Sequence, residues 1–223
     1  MPAPRLIWHT EVADPRAVVL VLHGGKSRSH KAVHPWQAAV WWMLPFARAV
    51  REAGQGAVSV AVVRYAVRGW NDAEASPLTD TTLALEQVAA RHPGLPIGLL
   101  GHSMGGRVAV HLAADERIRA IAALAPWVER SDLPYWHHGL HALFMHGTRD
   151  RITSARQSKA YADALAALGA DVTYLSMKGD THSMIGHARR WQETAAHYLV
   201  GHLLDACSDD ARSGADCGAS DGC

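Results

Sequence analysis

The chain has 223 residues, 48% of them apolar and 19% charged, with a formal net charge of +1. Length and composition suit one globular domain with a single sizeable core. A near-neutral balance without a basic stripe argues against nucleic acid as a partner, and no apolar run is long enough to span a bilayer.

The opening Met1-Pro2-Ala3-Pro4-Arg5 lacks the apolar core of a signal peptide, so a cytoplasmic protein is expected. Leu6 to Val12 reads as a first strand. Ala17 to Leu22, AVVLVL, is continuously apolar, the pattern of a strand buried on both faces of a parallel sheet. It ends in His23-Gly24-Gly25, where a glycine pair leaves backbone N–H groups bare; the loop is either an oxyanion donor or a plain turn. Trp36 to Ala53 carries helical spacing, and Pro45 within it predicts a break or kink. Trp41 and Trp42 are adjacent, so one of them must leave the apolar face. Ala57 to Val63 is a second buried strand, followed by a loop holding Arg64, Arg68 and Trp70, and Pro77 to Ala90 is a helix stopped by His92-Pro93-Gly94.

The apolar run Pro96 to Leu100 then enters Gly101-His102-Ser103-Met104-Gly105-Gly106, and an apolar-periodic helix follows at once. G-x-S-x-G between a strand and a helix is a nucleophile elbow: the chain turns sharply, with one serine at the apex and a helix N-terminus behind it. Ser103 is expected in a sparsely populated backbone region. Ile118 to Leu124 is the next strand, and only a short connection, Pro126 to Gly139, separates it from the strand Leu140 to Met145. That strand runs into His146-Gly147-Thr148-Arg149-Asp150. Ser154 to Leu168 is an amphipathic helix, Val172 to Met177 a last strand leading into Asp180-Thr181-His182, and His187 to Leu204 a final helix. One domain is therefore expected over 1–205. The remainder, 206–223, is rich in Asp, Ser, Gly and Ala and should be disordered. All three cysteines, Cys207, Cys217 and Cys223, lie there, so the domain holds no thiol nucleophile.

Strands alternate with helices throughout, which predicts an α/β fold: a mostly parallel central sheet with helices on both faces. Ser103 follows a central strand, Asp150 a later one and His182 the last. A serine hydroxyl is a weak nucleophile until a base takes its proton, and His182 followed by Asp150 supplies base and orienting acid. Glu129 and Asp180 compete with Asp150 for the acid, and His187 competes with His182 for the base.

From His23 to the helix after His182, the chain resembles the α/β-hydrolase superfamily, and its compact build is similar to the dienelactone hydrolase and small serine carboxylesterase branch. H-G-G, G-H-S-M-G-G, H-G-T-R-D and G-D-T-H stand where that fold puts its functional loops. The resemblance implies hydrolysis of a small-molecule ester by Ser103, Asp150 and His182, an oxyanion hole from the N–H groups of Gly25 and Met104, and no cofactor or metal. Dienelactone hydrolases proper use a cysteine nucleophile, which puts dienelactone itself in doubt as a substrate. Thioesterase, amidase and acyltransferase activities use the same triad, and a non-catalytic ligand-binding protein on the same fold is the alternative of a different class. Pro126 to Gly139 is too short for a cap domain, so an open cleft walled by Trp70, Trp127 and Trp136 is expected, suited to short or medium acyl groups. Oligomeric state is left open.

Overall fold

The computed structural model describes residues 2–213, the side chains of 206–213 excepted. Seven strands, β1 (Arg5–Thr10), β2 (Ala17–Leu22), β3 (Val58–Arg64), β4 (Ile97–His102), β5 (Ile118–Leu124), β6 (His141–Gly147) and β7 (Asp171–Met177), form one sheet in the order β1-β3-β2-β4-β5-β6-β7. β1 lies antiparallel to β3; every other pairing is parallel. Six α-helices accompany them among the described residues: α1 (Ala38–Trp41), α2 (Leu44–Ala53), α3 (Ser76–Arg91), α4 (Met104–His111), α5 (Ala155–Ala167) and α6 (Ala188–Ser213).

The continuous apolar runs take the centre because both faces of a parallel sheet are covered. β2 and β4 are buried at all six of their positions, whereas β7, at the edge, is buried only at Met177. α2 and α6 pack on each other over one face, and α3, α4 and α5 cover the other. Burying a Val or Leu side chain stabilises by about 1.5–3 kcal/mol. Truncating Leu20, fully buried in β2, to alanine should therefore cost about 2–5 kcal/mol once the cavity is included.

Two boundaries differ from the sequence reading. The single helix expected over 36–53 is two, α1 and α2, parted at Trp42 and Met43, with Pro45 in the first turn of α2 where no N–H is needed. α6 runs past the expected end at Leu204 to Ser213, and the rest of the expected tail, 214–223, lies outside the described residues. The connection from 126 to 139 contains neither helix nor strand, so no cap stands there. No helix among the described residues is long and apolar enough to cross a membrane. Because β2 and β4 to β7 are parallel, their carboxyl ends share one edge of the sheet, and the loops that follow them meet there.

Candidate active site

β4 ends at His102 and α4 begins at Met104, which leaves Ser103 alone between them at φ 56° and ψ −113°. Positive φ strains a residue with a Cβ, and the neighbourhood holds Ser103 there. Its N–H donates to Leu124 O at 3.0 Å, and its carbonyl accepts from Trp127 N at 3.0 Å and Arg107 N at 3.1 Å. The flanking glycines are sterically required. A Cβ on Gly101 would collide with the Gly105 carbonyl, and one on Gly105 with the carbonyl of Leu22 in β2. The Ser103 hydroxyl has no hydrogen-bond partner among the described residues and faces a cavity.

The same cavity holds Asp150 and His182. His182 Nδ1 donates to Asp150 Oδ2 at 2.8 Å, which leaves its Nε2 bare. The Asp150 side chain is fully out of solvent. Its Oδ1 accepts from the N–H groups of Ile152 at 2.8 Å and Thr153 at 3.0 Å, and its Oδ2 also accepts from Thr153 Oγ1 at 2.8 Å. His146 Nε2 stands 3.2 Å from Oδ2 on the buried side. Burial pushes this carboxyl's pKa up. The bonds from His146, His182 and the two N–H groups outweigh that, holding it well below the ordinary range and ionised.

The competing acids are engaged elsewhere. Asp180 Oδ2 accepts from Trp191 Nε1 at 2.8 Å and His187 Nδ1 at 3.0 Å, which also accounts for His187. Glu129 lies 3.2 Å from Arg107 Nη2.

His102 is turned toward the loop that carries His182. Its Nε2–H donates to the His182 carbonyl at 3.0 Å, and the two rings lie 4.7 Å apart. Burial and the neighbouring His182 lower its pKa to about 3, so the ring is neutral. His23, at the start of the glycine loop, is fully buried: Nδ1–H donates to Gly24 O at 2.7 Å, and Nε2 accepts from Tyr65 N at 3.3 Å. Burial lowers its pKa to about 4. The loop that it fixes brings Gly25 against Met104: a Cβ on Gly25 would lie 2.6 Å from Met104 Sδ. Neither the Gly25 nor the Met104 N–H has an acceptor among the described residues.

The cavity measures about 970 Å³ and is open. Its walls are Gly24 and Gly25, the segment Thr148 to Ile152, Thr181 to Ser183, and Ala38, Ala39 and Trp42. Trp70, Trp127 and Trp136 are not among them, which corrects the expected pocket wall. Trp70 and Trp127 instead flank the buried guanidinium of Arg107, with its carbon 4.2 Å and 4.7 Å from the two ring centres. Asp132 completes that cluster at 2.7 Å from Arg107 Nη2. Trp136 covers Gly169 and meets His138 edge-on. An arginine in the first turn of the elbow helix attracts both aromatic faces away from the cleft. Trp42, at the break between α1 and α2, lines the cavity instead. A second, apolar cavity of about 340 Å³ adjoins, sharing Ala38, Trp42 and Ser183 and adding Trp41, Phe46 and Ile185.

Residues 13–142 match the model of a family described as "Serine aminopeptidase, S33" (Hydrolase_4), a span that includes Ser103 and ends before Asp150. No curated protein matches the chain significantly. Among solved structures, the chain is similar to XC6422 from Xanthomonas campestris, described as an α/β serine hydrolase without lid. Their identity is 18% and the TM-score 0.64, over 90% of this chain and 88% of that one. Est1E from Butyrivibrio proteoclasticus shares 15% identity with TM-score 0.65, over 90% of this chain and 94% of its own. The esterase Pf2001 of Pyrococcus furiosus shares 15% with TM-score 0.66, over 85% and 84%. At these identities the likeness is one of fold.

Proposed function

The chain belongs to the Hydrolase_4 family, described as serine aminopeptidase S33, of the α/β hydrolases, and from that membership we propose that it is a serine carboxylesterase acting on small esters. The observation that carries this reading is the convergence of Ser103, His182 and Asp150 in one open cavity, with His182 Nδ1 fixed on Asp150.

In this reading His182 Nε2 takes the Ser103 proton as Oγ attacks the ester carbonyl. The N–H groups of Gly25 and Met104 receive the oxyanion; losing one such donor typically costs about 3 kcal/mol of transition-state stabilisation. The imidazolium then protonates the departing alcohol, and a water activated by His182 releases the acid from Ser103. Asp150 stays ionised and holds the tautomer in which Nε2 is bare. No cofactor or metal enters the scheme.

Trp42 and the adjoining apolar cavity support an apolar substituent on a short or medium acyl ester. An open cleft leaves a long chain in water, where each exposed CH₂ forgoes about 0.8 kcal/mol. Thioesters, amides and acyl transfer share the acyl-enzyme and are the alternatives within the same triad. The test is hydrolysis of p-nitrophenyl esters of graded length, with Ser103→Ala as control, run beside the thioesters and anilides of the same acids. Turnover of anilides above that of esters overturns the esterase reading.

A further inference from the structure

A second cluster of chemically capable side chains lies at the opposite end of the sheet. His141 and Asp171 are the first residues of β6 and β7, and the parallel register pairs them side by side. His141 Nδ1 lies 2.6 Å from Asp171 Oδ2. His202 reaches them from α6, its ring stacked on that of His141 with centres 4.0 Å apart and planes 15° from parallel. One donor atom from each of the three residues lies within 4.8 Å of the other two. Tyr198, one turn earlier in α6, closes the remaining side of His202 with its ring centre 4.4 Å away. β6 separates this cluster from the Asp150 loop by about 20 Å of strand.

None of these groups serves the hydrolytic site. An ordinary imidazole–carboxylate pair accounts for His141 and Asp171, but not for a second imidazole whose donor atom also lies within 4.8 Å of both. Two imidazoles and one carboxylate, presented from two strands and a helix, form a donor set for a borderline dication. We propose that His141, Asp171 and His202 bind a transition-metal dication of the zinc class, with water completing four-coordination.

Zinc–nitrogen and zinc–oxygen bonds of about 2.0–2.2 Å place tetrahedral ligand atoms about 3.3 Å apart. The His141–Asp171 pair must open by less than an ångström, and its shared proton leaves to solvent. His202 must turn about its Cβ and give up the stacking, so that its lone pair meets the ion. The bound ion then ties α6 to β6 and β7. Its role is structural.

The experiment is calorimetric titration of the untagged full chain, stripped with chelator, with zinc chloride, alongside Tm. Wild type should bind one equivalent, and Tm should rise by roughly 5–10 °C at a hundredfold excess over Kd. His202→Gln and Asp171→Asn should each weaken binding at least tenfold and abolish the Tm shift. Far-UV circular dichroism of each variant checks that α6 persists. His182→Ala, which alters only the cleft, should keep the equivalent. The proposal is overturned by the absence of saturable binding, by binding that survives both substitutions, or by binding that is lost in His182→Ala instead.

Discussion

His146 Nε2 stands 3.2 Å from Asp150 Oδ2, with both side chains wholly out of solvent. The proposed acid thus has the buried imidazole of His146 behind it and that of the proposed base, His182, before it. Asp150→Asn keeps the shape but presents the wrong hydrogen-bonding groups to His182. In one characterised triad that change costs about ten-thousandfold in kcat. A loss of that order is expected here, whereas His146→Leu should lower Tm more than kcat, because Ile152 N, Thr153 N and Thr153 Oγ1 still hold the carboxylate. Steady-state rates and melting curves on both variants check this; near wild-type turnover in Asp150→Asn would place the acid elsewhere.

Ser103→Ala should abolish turnover without loss of fold, and a fluorophosphonate probe should label the wild type at Ser103 alone. Ser103→Gly should go further. Glycine tolerates φ of 56°, so relief of backbone strain on the order of 1 kcal/mol should raise the urea midpoint above that of the alanine variant. Equal midpoints would mean that the elbow stores no strain.

Stability should depend on pH through two of the buried histidines, His102 and His23. Burial holds the pKa of His102 at about 3 and that of His23 at about 4, against about 6.5 in the unfolded chain. Between these values the unfolded state binds more protons, so unfolding free energy rises with pH. The stabilisation is complete above about pH 7 and is lost as pH falls from about 6.5 towards about 4 for His23 and about 3 for His102. The slope is up to about 1.4 kcal/mol per pH unit for each histidine. Urea midpoints at pH 7 and pH 5 measure it, and His102→Gln should flatten the slope by one proton. An unchanged slope in that variant would mean that His102 is charged in the fold.

Trp42→Ala should lower kcat/KM for butyrate and hexanoate esters more than for acetate, because the ring walls both the main cavity and its apolar neighbour. Trp127→Ala, by contrast, should act through stability, since that ring packs on Arg107 rather than on the cleft. Efficiency that keeps rising beyond about ten carbons, or a rate jump when the ester forms an emulsion, would reveal an acyl tunnel or mobile lid.

Much of this was legible in the sequence because it rests on local signals. Ala17 to Leu22 and Ile118 to Leu124 are strands at the residues where the apolar runs stand, and G-x-S-x-G marks a turn whose glycines have no room for a Cβ. The pocket wall was not legible. Trp70 and Trp127 follow strands β3 and β5 at the functional edge, as wall residues should, but Arg107 draws both rings to itself, and side-chain partners across the fold leave no periodic trace. His146 and His102 were hidden among 15 histidines; their roles depend on which loop each one faces. Thr153, three residues after Asp150, carried the one local cue, a hydroxyl at the spacing that reaches back to a turn carboxylate.

The uncapped connection from 126 to 139 divides the proposed triad, with Ser103 before it and Asp150 and His182 after it. A chain severed there yields one fragment carrying the nucleophile and another carrying the acid and base, and neither alone can turn over. The parallel pairing of β5 with β6 and the packing of α2 on α6 form the seam between the fragments. Each fragment exposes an open strand edge that the other covers. Ester hydrolysis by co-expressed fragments would then act as a complementation reporter, silent until two separately made polypeptides find each other.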